Sequence, residues 1–253
     1  MLWRCATINS RFFTDRAWVD SVPEMGYRDV ELCPRYTPDT TEEIIEYAQE
    51  KGLVLSLHVH HGPNNITDTD TENQKLSVSQ VKYCIDLAAR YQLASVTFHP
   101  GRLSALEESE EEKWQQLFTV MEELAAYAKE KQVYLAFENM ELRNFELVYT
   151  IEDLNRFAYI GENNPWFGVT LDFAHFASHG IIHPDLSQLK LPILNVHLSQ
   201  LTEEKMHDGL TAQGGKVDVP WVLKVLEDYG YKGRIILELT KDREESLQLL
   251  QKI

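Results

Sequence analysis

The pattern of apolar and polar positions along the chain repeats one unit. Short apolar runs at 2–8, 28–32, 53–59, 94–98, 133–137, 167–171, 193–196 and 234–237 read as strands, several of them rich in β-branched or aromatic residues. Between them lie stretches of helical spacing at 14–25, 42–51, 78–91, about 107–131, 151–158, a short 184–189 and 221–229, with a final helix at the C-terminal end. Gly26 and Gly52 stand where a glycine ends a helix, Thr40 or Thr41 is placed to cap the second helix, and Pro34 breaks the chain after the second strand. The acidic residues at 107–112 suit a helix start, where they complement the macrodipole. Two polar stretches, 62–73 and 199–218, are longer than simple connectors and read as functional loops; the second carries His207 and Gly214-Gly215.

Strands alternating with helices, with no linker between them, predict one domain over residues 1–253. The expected fold is α/β, a single (β/α)₈ TIM barrel, for which 253 residues is an ordinary length. An open doubly wound sheet is the alternative, but no Gly-rich phosphate loop follows the first strand. At 43% hydrophobic residues there is material for a sizeable core. A net charge of −16 argues against nucleic acid as a partner, yet leaves room for a local metal site, since an ion brings its own positive charge. Cys5, Cys33 and Cys84 are too few and too scattered for a disulfide framework or a thiolate zinc site. The first residues lack the apolar core of a signal peptide and no run approaches membrane-spanning length, so the expectation is a cytoplasmic protein with no membrane contact.

The chemistry is written at the strand ends. In a parallel barrel these open onto one face, where active sites form. Glu138, Asp172, His197 and Glu238 end four consecutive strands and should converge there. Taken singly, each is a hydrogen-bonded polar residue at a strand end; taken together they read as ligands of a divalent cation. Oxygen and nitrogen donors without thiolates suit Mn²⁺, Mg²⁺, Co²⁺ or Zn²⁺. His58, His99, His175 and His207 form a second tier, for a second metal or for substrate, or as supporting and loop histidines. His60 and His61 can contact substrate or solvent, and His179 and His183, beyond the turn, read as structural. Trp3, Asn9, Glu31 and Arg102 can line the pocket, with barrel packing the competing role for Trp3 and a structural ion pair for Glu31.

The ordered set Glu138, Asp172-x-x-His175, His197 and Glu238, with Gly-Tyr-Lys-Gly-Arg-Ile-Ile-Leu-Glu-Leu near the end, resembles the xylose isomerase-like barrel superfamily over essentially the whole chain. That group holds sugar and sugar-phosphate isomerases and epimerases, and also the endonuclease IV enzymes. The epimerase resemblance implies one divalent metal on Glu138, Asp172, His197 and Glu238. It also implies that Glu138 and Glu238 are acid/base catalysts acting through a metal-stabilised enediolate, and that His175 contacts a small sugar, polyol or sugar phosphate; His60 and Arg102 are further candidate substrate contacts by position. An arginine is usual a few residues after the seventh-strand histidine, and 199–205 contains none. The endonuclease IV resemblance rests on Phe98-His99-Pro100-Gly101 and Leu171-Asp172-Phe173-Ala174-His175, and implies a phosphodiesterase with two or three metals. Against it, Asn139-Met140-Glu141 and Leu198-Ser199-Gln200 depart from that branch's motifs, and Lys205 stands where its ligand aspartate would be. A metal-dependent isomerase or epimerase is therefore the expectation, ahead of the hydrolase and of a non-catalytic sugar- or metal-binding barrel. A homo-oligomer is also in keeping with barrels of this type.

Overall fold

The computed structural model describes residues 3–8, 15–34, 38–59, 64–143 and 145–252. In chain order the elements are β1 (Arg4–Ile8), α1 (Arg16–Glu24), β2 (Asp29–Leu32), α2 (Pro38–Glu50), β3 (Val54–His58), α3 (Thr71–Tyr91), β4 (Val96–Phe98), α4 (Glu110–Lys131) and β5 (Leu135–Glu138). There follow α5 (Ile151–Asn155), α6 (Ala158–Gly161), β6 (Phe167–Asp172), α7 (Phe173–Ser178), a 3₁₀ turn (Leu186–Gln188), β7 (Ile193–Leu198), α8 (Val219–Tyr229), β8 (Arg234–Leu237) and α9 (Arg243–Leu250). The strands pair in sequence order, all parallel, and β8 closes on β1. This is a single TIM barrel.

Strand parity decides what faces the axis. Side chains two apart along a strand share a face, so Glu138 points the same way as Ala136, Asp172 as Thr170, His197 as Asn195, and Glu238 as Ile236. The opposite parity, Leu135, Phe137, Val169, Leu171, Val196 and Leu198, is fully buried in the main core with the helices. Each such side chain contributes roughly 1.5–3 kcal/mol by leaving water. On the β1–β8 side the interior is apolar, with Ala6, Ile8, Cys33 and Ile236 clustered apart from the main core. From β2 to β7 it is polar: Glu31, Ser56, Thr97, Thr170 and Asn195 are all inaccessible to solvent. They satisfy one another. Thr97 Oγ1 donates to Glu31 at 3.3 Å, Ser56 Oγ donates to the same oxygen at 3.2 Å, and Asn195 Nδ2 donates to Thr97 at 3.0 Å and to Ser95 at 2.9 Å.

Several boundaries differ from the periodicity. Helix α2 begins at Pro38, so Thr40 and Thr41 lie inside it rather than capping it; proline suits a first turn because its missing N–H is not needed there. Helix α3 starts at Thr71, seven residues before 78, with Asp70 accepting from the Glu72 amide. Its polar first turns carry no apolar stripe and read as part of the 62–73 loop. Ser109 caps α4, which leaves Glu107 and Glu108 ahead of the helix. The stretch at 151–158 splits into α5 and α6, and 184–189 holds only the 3₁₀ turn. Strands β5, β6 and β7 run on to include Glu138, Asp172 and His197 themselves. Leu2, Thr14, Asn9, His60 and His61 lie outside the described residues. Among the described residues, no helix is long and apolar enough to cross a membrane.

Candidate metal centre

Glu138, Asp172, His197 and Glu238 each bring one ligand atom to a common point, and those atoms lie within 4.8 Å of one another. Register explains the convergence: Asp172 stands opposite His197 across β6 and β7, and Glu138 opposite Thr170, one inward position below Asp172. Glu238 follows the end of β8, one inward position above Ile236, which stands opposite His197. The first three side chains are fully buried, and Glu238 is 5% exposed.

The hydrogen bonds fix which lone pairs face inward. His197 Nε2 lies 2.9 Å from Glu31 Oε2, a carboxylate that can only accept, so Nε2 carries the proton. Its Nδ1 is then aimed at Glu138 Oε1 at 2.9 Å and Glu238 Oε2 at 3.1 Å. His58 repeats the logic: Nδ1 donates to the Val59 carbonyl at 2.9 Å, turning Nε2 towards Glu138 Oε2 at 3.3 Å. A lone pair facing a carboxylate at such distances is reconciled by a shared cation, either a proton on the imidazole or a metal ion bound to both. The contacts around His197 Nδ1 are short, yet they are not directed as hydrogen bonds. Glu138 Oε1, Asp172 Oδ2, His175 Nε2 and His197 Nδ1 are all buried without a hydrogen-bond partner. Orphaned polar atoms of this kind are costly to bury. Three of them, on Glu138, Asp172 and His197, belong to the residues that converge here, and two carboxylate oxygens with an imidazole nitrogen fit a divalent cation; His175 belongs to a neighbouring group.

A second group shares Asp172: its carboxylate, His175 and His207 also offer ligand atoms within 4.8 Å of one another. Asp172 caps α7, Oδ1 accepting from the His175 amide at 2.8 Å and leaving Oδ2 free for the cluster. Asn139 locks the corner, donating to the Asp172 carbonyl at 2.9 Å and accepting from its amide at 2.8 Å. The Asn139 carbonyl accepts from His175 Nδ1 at 2.8 Å, so the orphaned Nε2 is the free lone pair. His207, at φ 58°, is held from behind: its carbonyl accepts from the Thr240 amide at 2.9 Å and hydroxyl at 3.0 Å.

With a proton as the only cation, the charges sort accordingly. Burial pushes the Glu138 carboxyl up, but His197, His58 and His99 outweigh it and hold the group well below the usual carboxylate range. Glu238 behaves likewise through His207 and His197. Burial pulls His197 down, and Glu138 and Glu31 outweigh it and raise it well above the usual value; His58 is raised to about 9 by Glu138 against the same burial. Asp172 is raised by burial, with His175 and His207 opposing, and His99 is lowered by burial.

A cavity of ≈ 340 Å³ opens above the clusters, lined by His99, His175, His207 and Glu238 and by Glu141, Arg143, Lys205 and Thr240. His99 Nε2 lies 3.2 Å from Glu138 Oε2 and is the link between that buried carboxylate and the cavity. Arg102 lies elsewhere, its guanidinium donating to the Asn64 carbonyl at 3.3 Å and its backbone pairing antiparallel with Glu146. Trp3 packs against the core, and His179 stacks on Tyr149 at 4.3 Å. His183 lies tilted against Trp221 and contacts Asp218. Glu31 holds His197. Sequence reasoning passed over Glu141, Arg143, Lys205 and Asn139. The first three are charged residues in loops with no periodicity to mark them, whereas Asn139 follows a strand-end glutamate directly.

A family model described as a xylose isomerase-like TIM barrel matches residues 19–253. An uncharacterized protein of Methanocaldococcus jannaschii is 24% identical over 218 residues, which cover 83% of this chain and 73% of that one. Among solved structures, a D-tagatose 3-epimerase-like protein superposes with a TM-score of 0.83 at 19% identity, covering 98% of this chain and 96% of that one. The 3-keto-D-glucoside 4-epimerase YcjR of E. coli gives 0.80 at 15% identity, covering 99% and 100%.

Proposed function

The chain belongs to the xylose isomerase-like TIM-barrel family, and on that premise we propose that it is a divalent-metal-dependent isomerase or epimerase of a small sugar, polyol or sugar phosphate. The observation that carries the reading is the set of orphaned buried atoms of Glu138, Asp172 and His197 beneath the cavity, converging with Glu238. One named neighbour is called an epimerase and the other epimerase-like, which supports a sugar as the substrate class.

Glu138, Asp172, His197 and Glu238 would hold the ion, whose contribution when bound is to polarise a substrate carbonyl and offset the charge developing on its oxygen. The proton chemistry falls to the glutamates. Glu238 lines the cavity and takes the proton from the carbon beside the carbonyl. Glu138 is sealed from the cavity and exchanges protons through His99. His175, locked by Asn139, presents Nε2 to a substrate hydroxyl. Arg143 and Lys205, the cations on the cavity wall, grip a hydroxyl or phosphate, the task left open by the missing arginine at 199–205. A panel of ketoses and their phosphates in deuterated water, with metal-loaded protein, tests this: deuterium should enter the carbon beside the carbonyl. No exchange on any member, with metal bound, would refute the reading.

The second group at Asp172, His175 and His207 favours one other reading, a phosphodiesterase with more than one metal. Metal content of the purified protein separates them. One equivalent fits the isomerase; two or three, with cleavage of a phosphodiester and no solvent exchange, fit the hydrolase.

A further inference from the structure

We propose that the opposite, N-terminal mouth of the barrel is a separate binding site for a small molecule carrying a phosphate group. A cavity of ≈ 450 Å³ opens there, larger than the one above the metal centre and of a size that small-molecule sites commonly have. Its wall brings together Arg4 from the start of β1, Arg234 from the start of β8, Lys232, Ser95 and the rings of Tyr134 and Tyr231, with no carboxylate among its described lining residues. Cations gathered at one mouth of a chain of net charge −16 are a local exception.

Arg234 is the telling residue. Its side chain is 7% exposed, so the guanidinium is held almost out of water. Nη2 donates to Ser95 Oγ at 3.1 Å, while Nη1 is buried without a hydrogen-bond acceptor. The nearby Asp29 carboxylate does not supply one: its Oδ1 lies 3.9 Å from Nη1, and Oδ2 accepts from Arg4 Nε at 3.0 Å. Asp29 is held by two Arg4 nitrogens, Nη2 lying 2.6 Å from its Oδ1, so Arg234 shares it and feels Glu31 from deeper in the barrel, with Lys232 at the rim. A buried cationic donor left without an acceptor is expensive, and desolvation already lowers the affinity of Arg234 for its proton. A phosphate dianion in the cavity would supply negative charge to the three cations that line it, Arg4, Lys232 and Arg234, in the fork geometry that arginine matches. The tyrosine rings would flank whatever bears it.

Calorimetric titration of the metal-loaded full chain with inorganic phosphate at low ionic strength tests the site. Saturable binding of one equivalent is expected, weakened about tenfold or more in Arg234→Met and in Arg4→Gln, and retained in Glu238→Gln at the other mouth. Should Arg234→Met fail to fold, Arg4→Gln carries the test, since the Arg4 side chain is 54% exposed. Absence of saturable binding would overturn the proposal. So would affinity unchanged in the arginine variants but lost in Glu238→Gln, which would put the phosphate at the metal centre. Acetate binding as tightly as phosphate would overturn the choice of phosphate.

Discussion

The two halves of the barrel bring different things to one point. The tips of β5 to β8 supply Glu138, Asp172, His197 and Glu238, whose atoms face the common centre. The tips of β2 to β4 supply Glu31, His58 and His99, which meet those ligands from behind or from the side: Glu31 the far nitrogen of His197, His58 and His99 the outer oxygen of Glu138. Residue types do not separate the halves, since both contribute carboxylates and imidazoles. Direction does. The second half presents lone pairs to the centre and Glu31 decides which lone pair of His197 is free to face it, while His58 is the first-half residue that itself converges with Glu138 and His197.

The sharpest break of this division is Glu238→Gln. The amide keeps the volume but cannot take a proton, so turnover should fall about 10³-fold, within the range usual for loss of an acid/base group. Metal affinity should fall too, while unfolding of the metal-free protein stays cooperative. Solvent-exchange rates and metal titration read both, and wild-type turnover would remove Glu238 from the chemistry. Glu31→Gln is the matching change in the supporting half. The Gln amide can present either its oxygen or its NH₂ to His197, and the charge that favours Nε2–H is gone. Metal affinity should drop about 10- to 100-fold, as for other outer partners of a ligand histidine, and excess metal should restore the rate. If excess metal does not restore it, Glu31 belongs with the ligands and the two halves are not distinct.

Sequence reasoning reached the second half far better than the first. Glu138, Asp172, His197 and Glu238 end consecutive apolar runs, and strand parity alone sends them inward. Glu31 was legible as a pocket residue or a structural ion pair, but without its partner. Its partner His197 lies 166 positions away, and nothing local in either strand names the pair. His99 as the link to Glu138 is hidden in the same way. The cavity wall was least legible: Arg143 and Lys205 sit in loops, where contacts follow backbone path rather than period. The early start of α3 escaped for a related reason, because turns whose apolar side is sparse look like loop.

Acidity gives a gentler test of the same division. In the metal-free protein Glu138 and Glu238 are held below their ordinary 4.5, so what they contribute to stability is present above that value and fades as the pH falls. His58 is raised from its ordinary 6.5 to about 9, so its contribution is complete below 6.5 and is lost as the pH climbs towards 9. The metal-free protein should therefore melt at its highest temperature between about 4.5 and 6.5, the ordinary values of these groups. A bound ion replaces the protons on the histidines, so metal-loaded protein should hold its melting temperature to higher pH. Thermal unfolding of both forms across pH 4 to 9 reads this; a metal-free melting temperature that is flat from 6.5 to 9 would contradict the lone-pair arrangement.

The smallest effect expected is also the most discriminating. His99 stands at the edge of the supporting half, in contact with Glu138 and open to the cavity. It is absent from the groups whose ligand atoms converge within 4.8 Å. As a proton path for Glu138, its replacement in His99→Ala should slow solvent exchange about tenfold, less than loss of the carboxylate itself, with metal content unchanged. The cavity gains room for water, which can carry part of the proton traffic. As a ligand of a further ion, the same change should instead lower the number of metals bound per chain. Measuring metal content and exchange rate on one preparation tells these apart. A fall in metal stoichiometry would carry His99 across to the ligand-bearing half and the protein towards phosphoester hydrolysis.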